Sequence, residues 1–251
     1  MSSASGSPLS ETNAVYARIA CAIGERIATG QIKEGALLPK EVALQAEFGA
    51  SRQAVREALK VLGAKRMISA RKRAGTSVSP RSDWDLLDAD VLSWHTPGSL
   101  PDTVLRDLVE LRRVIEPLAA TLAARRADAK ALAKIGAALD DMRRGVADRT
   151  MFFKADIAFH LSIFEASGNG LVRQLSAILA PLLRISFDLQ MKVHEPLSQG
   201  YAAHAAVFHA IKSGDAVTAS AAMNRLLDRA STELFRAKAP QGVVPGPDSG
   251  V

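Results

Sequence analysis

A chain of 251 residues with a formal charge of +6 has room for two modest domains, each burying a core of its own. Its one cysteine excludes an internal disulfide framework and fits a reducing compartment. The opening MSSASGSPLSETN has no basic stretch leading into an apolar run, and no uncharged apolar window nears the ~20 residues of a membrane span, so the expected address is the cytoplasm, with no membrane partner.

The charge is unevenly placed. Residues 1–80 hold 12 Lys/Arg against 6 Asp/Glu, while residues 81–251 hold 20 of each, so the whole excess sits in the first third. A basic small domain joined to a neutral larger one points to an anion-binding head, most often for nucleic acid, on a body with another task.

In chain order, the Ser/Gly-rich residues 1–12 are expected to be disordered. Val15, Ile19, Ala22, Ile23 and Ile27 at helical spacing predict a helix over Val15–Thr29 that ends at Gly30. EGALLP reads as a turn and Lys40–Phe48 as a short helix. Gly49-Ala50 breaks it, and Ser51 can N-cap the next helix, Arg52–Ala64. MISARKRAGTSVSP reads as two short strands around a basic turn.

Residues 80–100, with RSDWDLLDADVLSWHTPGSL, read as a linker carrying one amphipathic turn of helix. Beyond Pro101 apolar residues recur at helical intervals for more than 120 residues, Leu105, Leu108, Leu111, Ile115, Leu118 and Leu122 forming the clearest stripe. Punctuation divides this stretch into roughly six helices. Residues 239–251, rich in Pro and Gly, are expected to be disordered. The expected fold class is mainly α: a winged helix-turn-helix over 13–79 with a small β wing, and an all-helical bundle over 101–238.

In the head, a short helix, a tight turn and a second helix opening Ser-Arg-Gln match helix-turn-helix geometry, in which the second helix presents its N-terminal side chains to the major groove. Arg52 and Arg56 share a face and suit phosphates or guanine edges. Gln53 can read adenine, and Ser51 suits a phosphate oxygen, as do Lys40 and the wing residues Arg73, Gly75 and Thr76. The competing reading is an ordinary solvated basic helix and hairpin.

In the body, Asp156 and His160 lie four residues apart on an apolar helix and so point the same way. Three readings compete: a buried structural pair, a metal site, and a polar floor for a small ligand.

The run LLPKEVALQAEFGASRQAVREALKVLGAKRMI, followed by GTSV, resembles the winged-helix domain of the GntR family of bacterial transcription regulators. Two positions depart from the family pattern: Val42 stands where an Arg is usual, and Ala74 where an Arg usually precedes the wing Gly. The family's consensus operator is therefore not assumed for this chain, whereas DNA binding is. ELRRVIEPLAATLAA, ADIAFHLSIFEASGN and HAAVFHAIKSGDA resemble the all-helical FCD effector domain of the FadR subfamily.

That resemblance implies a body that binds a small carboxylate and passes the event on to DNA affinity. It implies a divalent metal (Zn, Ni or Mn) on Asp156, His160 and His204. Leu226 stands at the position of the fourth ligand and cannot ligate, so the three could also act without metal. Arg112 stands where related sensors present an Arg to the ligand carboxylate, and Arg184 is a second candidate. His194 and His209 read as surface or packing residues.

SDWDLLDADVLSW is similar to a segment of galactonate-operon repressors and their relatives, which narrows the implied effector to a sugar acid such as an aldonate. The expectation is a homodimeric repressor of a sugar-acid catabolic operon, released from a palindromic double-stranded operator by its effector. Its rivals are a regulator of another organic-acid pathway, an architectural DNA-binding protein without effector, and a metal-dependent hydrolase or lyase. The last leaves the basic head unexplained.

Overall fold

Ile19, Ile23 and Ile27 recur every fourth residue and are almost wholly buried, the inward stripe of the first helix, α1 (Pro8–Ala28). The helix thus starts within the stretch expected to be disordered. The structure is a computed structural model that describes residues 8–71, 74–96, 98–190 and 196–238, so the expected tail over 239–251 lies outside the described residues. It divides into two units, the first running to Leu105 and the second from Arg106.

In the first unit, α2 (Glu41–Phe48) ends at Gly49, whose left-handed φ of 58° any Cβ would strain. Ser51 then caps α3 (Arg52–Ala64), its Oγ accepting from the Ala54 amide at 3.2 Å. Val55, Ala58 and Leu62 turn inward from α3 onto α1. Strands β1 (Ile68–Arg71) and β2 (Gly75–Val78) pair antiparallel, Ile68 opposite Val78. The Leu37-Leu38 run extends this hairpin, the Leu38 amide donating to the Thr76 carbonyl at 2.8 Å.

Residues 80–100 do not behave as a linker; they are built into the first unit. Trp84 and Trp94 are buried in the same core as α1 and α3, and the Trp84 indole N–H donates to the Ser79 carbonyl at 2.9 Å. A short helix, α4 (Ala89–Ser93), is capped by Asp88. Trp94 lies so close to α1 that a Cβ on Gly24 would come within 2.4 Å of its ring. The Arg81 guanidinium donates to the Ala28 carbonyl at 3.0 Å and lies over the Trp84 ring.

The second unit is a helical bundle: α5 (Asp102–Arg126, whose first turn belongs to the first unit), α6 (Ala129–Arg144), α7 (Arg149–Ala166), α8 (Gly170–Gln190), α9 (Leu197–Lys212) and α10 (Ala216–Lys238). These are the six helices the punctuation predicted. Asp128 and Asp148 N-cap α6 and α7. Phe159, Ile163, Phe164 and Val207 centre the core, in which Ala119, Ala120 and Ala123 of α5 are also buried. Of the predicted α5 stripe, Ile115 is buried but Leu118 is exposed, as is its neighbour Val114. Among the described residues no helix is long and apolar enough to cross a membrane.

Candidate functional site

In the first unit, the start of α3 places Ser51, Arg52, Gln53 and Arg56 in solvent. Glu41, at the start of α2, reaches both arginines: its Oε2 accepts from Arg52 Nε at 3.2 Å, and its Oε1 lies 3.9 Å from Arg56 Nε. One carboxylate thus pre-orients two guanidinium groups that remain largely exposed, with their outer nitrogens open to a nucleic-acid partner. Lys40, just before α2, is exposed, as is Gly75 at φ 92°; Thr76 is half-buried in the wing. Arg73 lies outside the described residues. Val42 is 76% exposed beside Glu41, an apolar residue left in solvent next to the basic helix.

In the second unit, α5, α7, α8, α9 and α10 line a pocket of about 740 Å3 counting its mouth. Arg112, Asp156, His160 and His204, read from the sequence as one constellation, are all on its wall, and so is Leu226. The His204 Nε2 lies 2.7 Å from Asp156 Oδ1 and 3.3 Å from His160 Nε2, which is itself 3.6 Å from Asp156 Oδ1. The other nitrogen of each imidazole has an oxygen beside it. The His204 Nδ1 donates to the Gly200 carbonyl at 2.7 Å, and the His160 Nδ1 sits 2.5 Å from Glu116 Oε2.

Glu116, which the sequence reading does not single out, lies behind this cluster. It is wholly buried one turn along α5 from Arg112, whose Nε meets its Oε1 at 2.5 Å. The Glu116–His160 contact lacks the in-line geometry of a hydrogen bond, yet a nitrogen and a carboxylate oxygen that close repel unless a proton lies between them. Burial alone would raise the Glu116 carboxyl. Arg112 and His160 outweigh it and hold the group down to about 2. Burial likewise opposes charge on His160, but Glu116 and Asp156 push its pKa up to about 9. Asp156, against its own burial, is held well below the usual carboxylate range by the two imidazoles.

With the proton placed on Nδ1 of each ring, three Lewis-base atoms face one another, and a proton or a metal ion among them would offset their repulsion. For bonds of the usual length, ligand atoms on one divalent ion lie about 3.0–3.4 Å apart. Of the three separations only the 3.3 Å between the imidazoles lies in that range, the others falling 0.2–0.3 Å to either side, so the trio is a candidate three-residue metal site that needs only a small side-chain adjustment.

The other polar residues on the wall are Arg149, Ser186, Arg229 and Glu233. Arg149 lies over the Phe153 ring, and Arg229 Nε donates to Glu233 Oε1 at 2.7 Å. Arg184 is a correction. It is exposed on α8 and does not line the pocket; Leu183 and Ser186 do, because Arg184 falls on the opposite side of the helix. Arg113 pairs with Asp228 at 2.9 Å, outside the pocket. His209 is exposed, and His194 lies outside the described residues.

The family profile described as "Bacterial regulatory proteins, gntR family" matches residues 15–78, and that of the FCD domain matches residues 107–229. The galactonate operon transcriptional repressor of Escherichia coli (strain K12) is 33% identical over 218 residues, 86% of this chain and 95% of that protein. The chain belongs to the GntR family of transcription regulators.

Membership of this family makes the chain a DNA-binding transcription regulator with an FCD domain, and its relatives are regulators rather than enzymes. The Uxu operon regulator of Haemophilus influenzae is 26% identical over 230 residues, 89% of this chain and 83% of that one. Among solved structures, Lar of Listeria monocytogenes superposes with a TM-score of 0.60 at 20% identity, covering 88% of this chain and 96% of that one, which speaks for the fold. The GntR match ends at Val78 and the FCD match begins at residue 107, so the tryptophan-bearing segment packed into the first unit lies between the two.

Proposed function

We propose that this GntR regulator represses a sugar-acid catabolic operon and leaves its operator when an aldonate-like acid occupies the second-unit pocket. One observation carries the reading: Arg112 shares a pocket wall with the Asp156, His160 and His204 cluster. A guanidinium whose Nε is held by Glu116 keeps its two terminal nitrogens for a ligand carboxylate. Among the described residues those nitrogens have no protein partner. The acid's hydroxyl groups then meet Ser186, Arg229 and Glu233. The names of the galactonate and Uxu operon relatives support the choice of a sugar acid.

The cluster holds a divalent metal on Asp156, His160 and His204, with zinc, nickel and manganese as the candidates. Bound there, the ion supplies positive charge and open positions for ligand oxygens, since Leu226 adds no fourth protein donor.

At the other end of the chain, Arg52 and Arg56 enter the major groove, and two copies on one operator call for a palindrome. Release requires that the acid bind the DNA-incompetent arrangement more tightly, by a coupling of about 1–3 kcal/mol.

The test is operator affinity by fluorescence anisotropy at fixed salt, with and without D-galactonate and related aldonates. A fall of about five- to 150-fold with one of these acids is the expected result. An affinity unmoved by every acid leaves an architectural DNA-binding protein as the better account.

A further inference from the structure

Glu116 faces neither solvent nor the pocket, yet it touches the two groups on which recognition depends. Its Oε1 accepts from Arg112 Nε and its Oε2 lies against His160 Nδ1, both at 2.5 Å. Arg112 and Glu116 are one turn apart on α5, while His160 belongs to α7, so one carboxylate bridges two helices at the floor of the pocket.

We propose that Glu116 is a positioning residue that aims the His160 lone pair at the cation cluster and the Arg112 fork at the acid, so that both sites depend on one carboxylate. This deepens the sugar-acid reading and rests on it for the acid alone; the hold on the cluster stands apart.

The chemistry that makes this specific is the count of donors and acceptors. Arg112 Nε–H and His160 Nδ1–H are two donors, and an ionised carboxylate offers an acceptor to each. A glutamine in its place has the same shape but one acceptor and one N–H2 group. It can satisfy Arg112 or His160, and the other donor faces a donor. If the imidazole yields, its proton moves to Nε2, which points at Asp156 and His204, and the lone pair is lost to the cluster. If Arg112 yields, its fork turns away from the pocket. A carboxylate that holds the far nitrogen of a ligating imidazole is worth about 10- to 100-fold in metal affinity.

The experiment uses the full chain as wild type, Glu116→Gln and Arg112→Lys, the last keeping the charge but not the planar fork. Zinc affinity is measured by competition with a chromophoric chelator, and D-galactonate affinity by calorimetry on zinc-loaded protein. Operator affinity and the melting transition serve as controls for folding. Glu116→Gln is expected to lose zinc by about 10- to 100-fold and to weaken the acid in parallel, with operator affinity unchanged. Arg112→Lys is expected to lose the acid and keep zinc.

Zinc bound equally by Glu116→Gln and wild type overturns the proposal, as does failure of the wild type to bind zinc. If D-galactonate does not bind the zinc-loaded wild type, the sugar-acid reading falls, and Glu116 is judged on zinc alone. Should Glu116→Gln fail to fold, nitrogen-15 NMR of the zinc-loaded wild type decides: a proton on His160 Nδ1 is expected, and a proton on Nε2 overturns the assignment.

Discussion

The ammonium of Lys65, the residue that closes α3, lies 2.7 Å from each carboxylate oxygen of Asp88 and 2.8 Å from Asp90 Oδ2. It also stands over the Trp94 ring at 5.6 Å. The DNA-reading helix is thereby tied at its far end to the segment that the sequence presents as a linker. Lys65 is 12% exposed and Asp88 28%, so this pair is shielded better than an ordinary surface ion pair.

Lys65→Met is expected to destabilise the first unit by about 1–2 kcal/mol, between the values for exposed and buried pairs. Both tryptophans of the chain, Trp84 and Trp94, sit in this unit, so urea denaturation followed by tryptophan fluorescence reads it selectively. A midpoint equal to wild type removes the clasp from the account.

The same pair sets an acid limit. Burial tends to raise the Asp88 carboxyl, but the hydrogen bonds from Lys65 and the α4 amides hold it below its usual value. A depressed carboxyl contributes stability above its unfolded pKa of about 3.9 and loses it as pH falls through the folded value. Lys65, raised by the two aspartates against its own burial, contributes below about 10.4 and loses that as pH climbs. The clasp is intact between those limits. Asp88→Asn, which can still cap α4, is expected to lower stability at pH 7 and to flatten its decline below pH ~4.

Gly24→Ala replaces a poor helix former by the best one, a gain of about 1 kcal/mol in an open helix. Here the added methyl would stand 2.4–2.6 Å from carbons of the Trp94 ring. The ring must move, at a cost of about 1–3 kcal/mol, so the expected net effect is destabilisation with a shift in tryptophan emission. An unchanged emission maximum and a raised midpoint contradict the packing described.

Arg52 has a side chain 72% exposed and, among the described residues, a single ion pair, to Glu41, so Arg52→Ala is expected to move stability by no more than about 0.5 kcal/mol. Operator affinity is expected to fall by about 1–3 kcal/mol, roughly 5- to 150-fold, with effector binding intact. Anisotropy titration together with a melting curve checks both. Loss of DNA and effector binding together points instead to a folding defect.

Asp156→Asn and His204→Ala each remove one of three convergent donors, and zinc affinity is expected to drop by roughly 100-fold or more. The readout is chelator competition on the full chain, with operator binding as the control.

How much of this was legible in the sequence depends on whether a signal is local. Gly49, Ser51 and the Arg52/Arg56 face act through neighbours a few residues away, and the helix-turn-helix with its hairpin followed from them. Asp156 and His160 were visible for the same reason, as an i,i+4 pair.

Glu116 was not, because Arg112–Glu116 is also i,i+4 and looks like any surface ion pair until α7 is laid beside α5. The available hint was its place among Ile115, Ala119, Ala120 and Ala123, a buried run in which a carboxylate needs a partner. Arg229 and Glu233 hid in the same way on α10. Arg184 lies away from the pocket because its residue type alone does not fix which side of α8 it takes. The Trp84 and Trp94 sockets are tertiary and leave no periodic trace.

Where the first unit ends has a practical outcome for anyone preparing the reader of DNA by itself. A fragment trimmed after Val78, where the family match stops, would strip both indole plugs from their sockets and bare the side of α1 around Gly24. Such a fragment should clump when expressed, whereas one extended through Leu100 carries its own stopper and should stay dispersed.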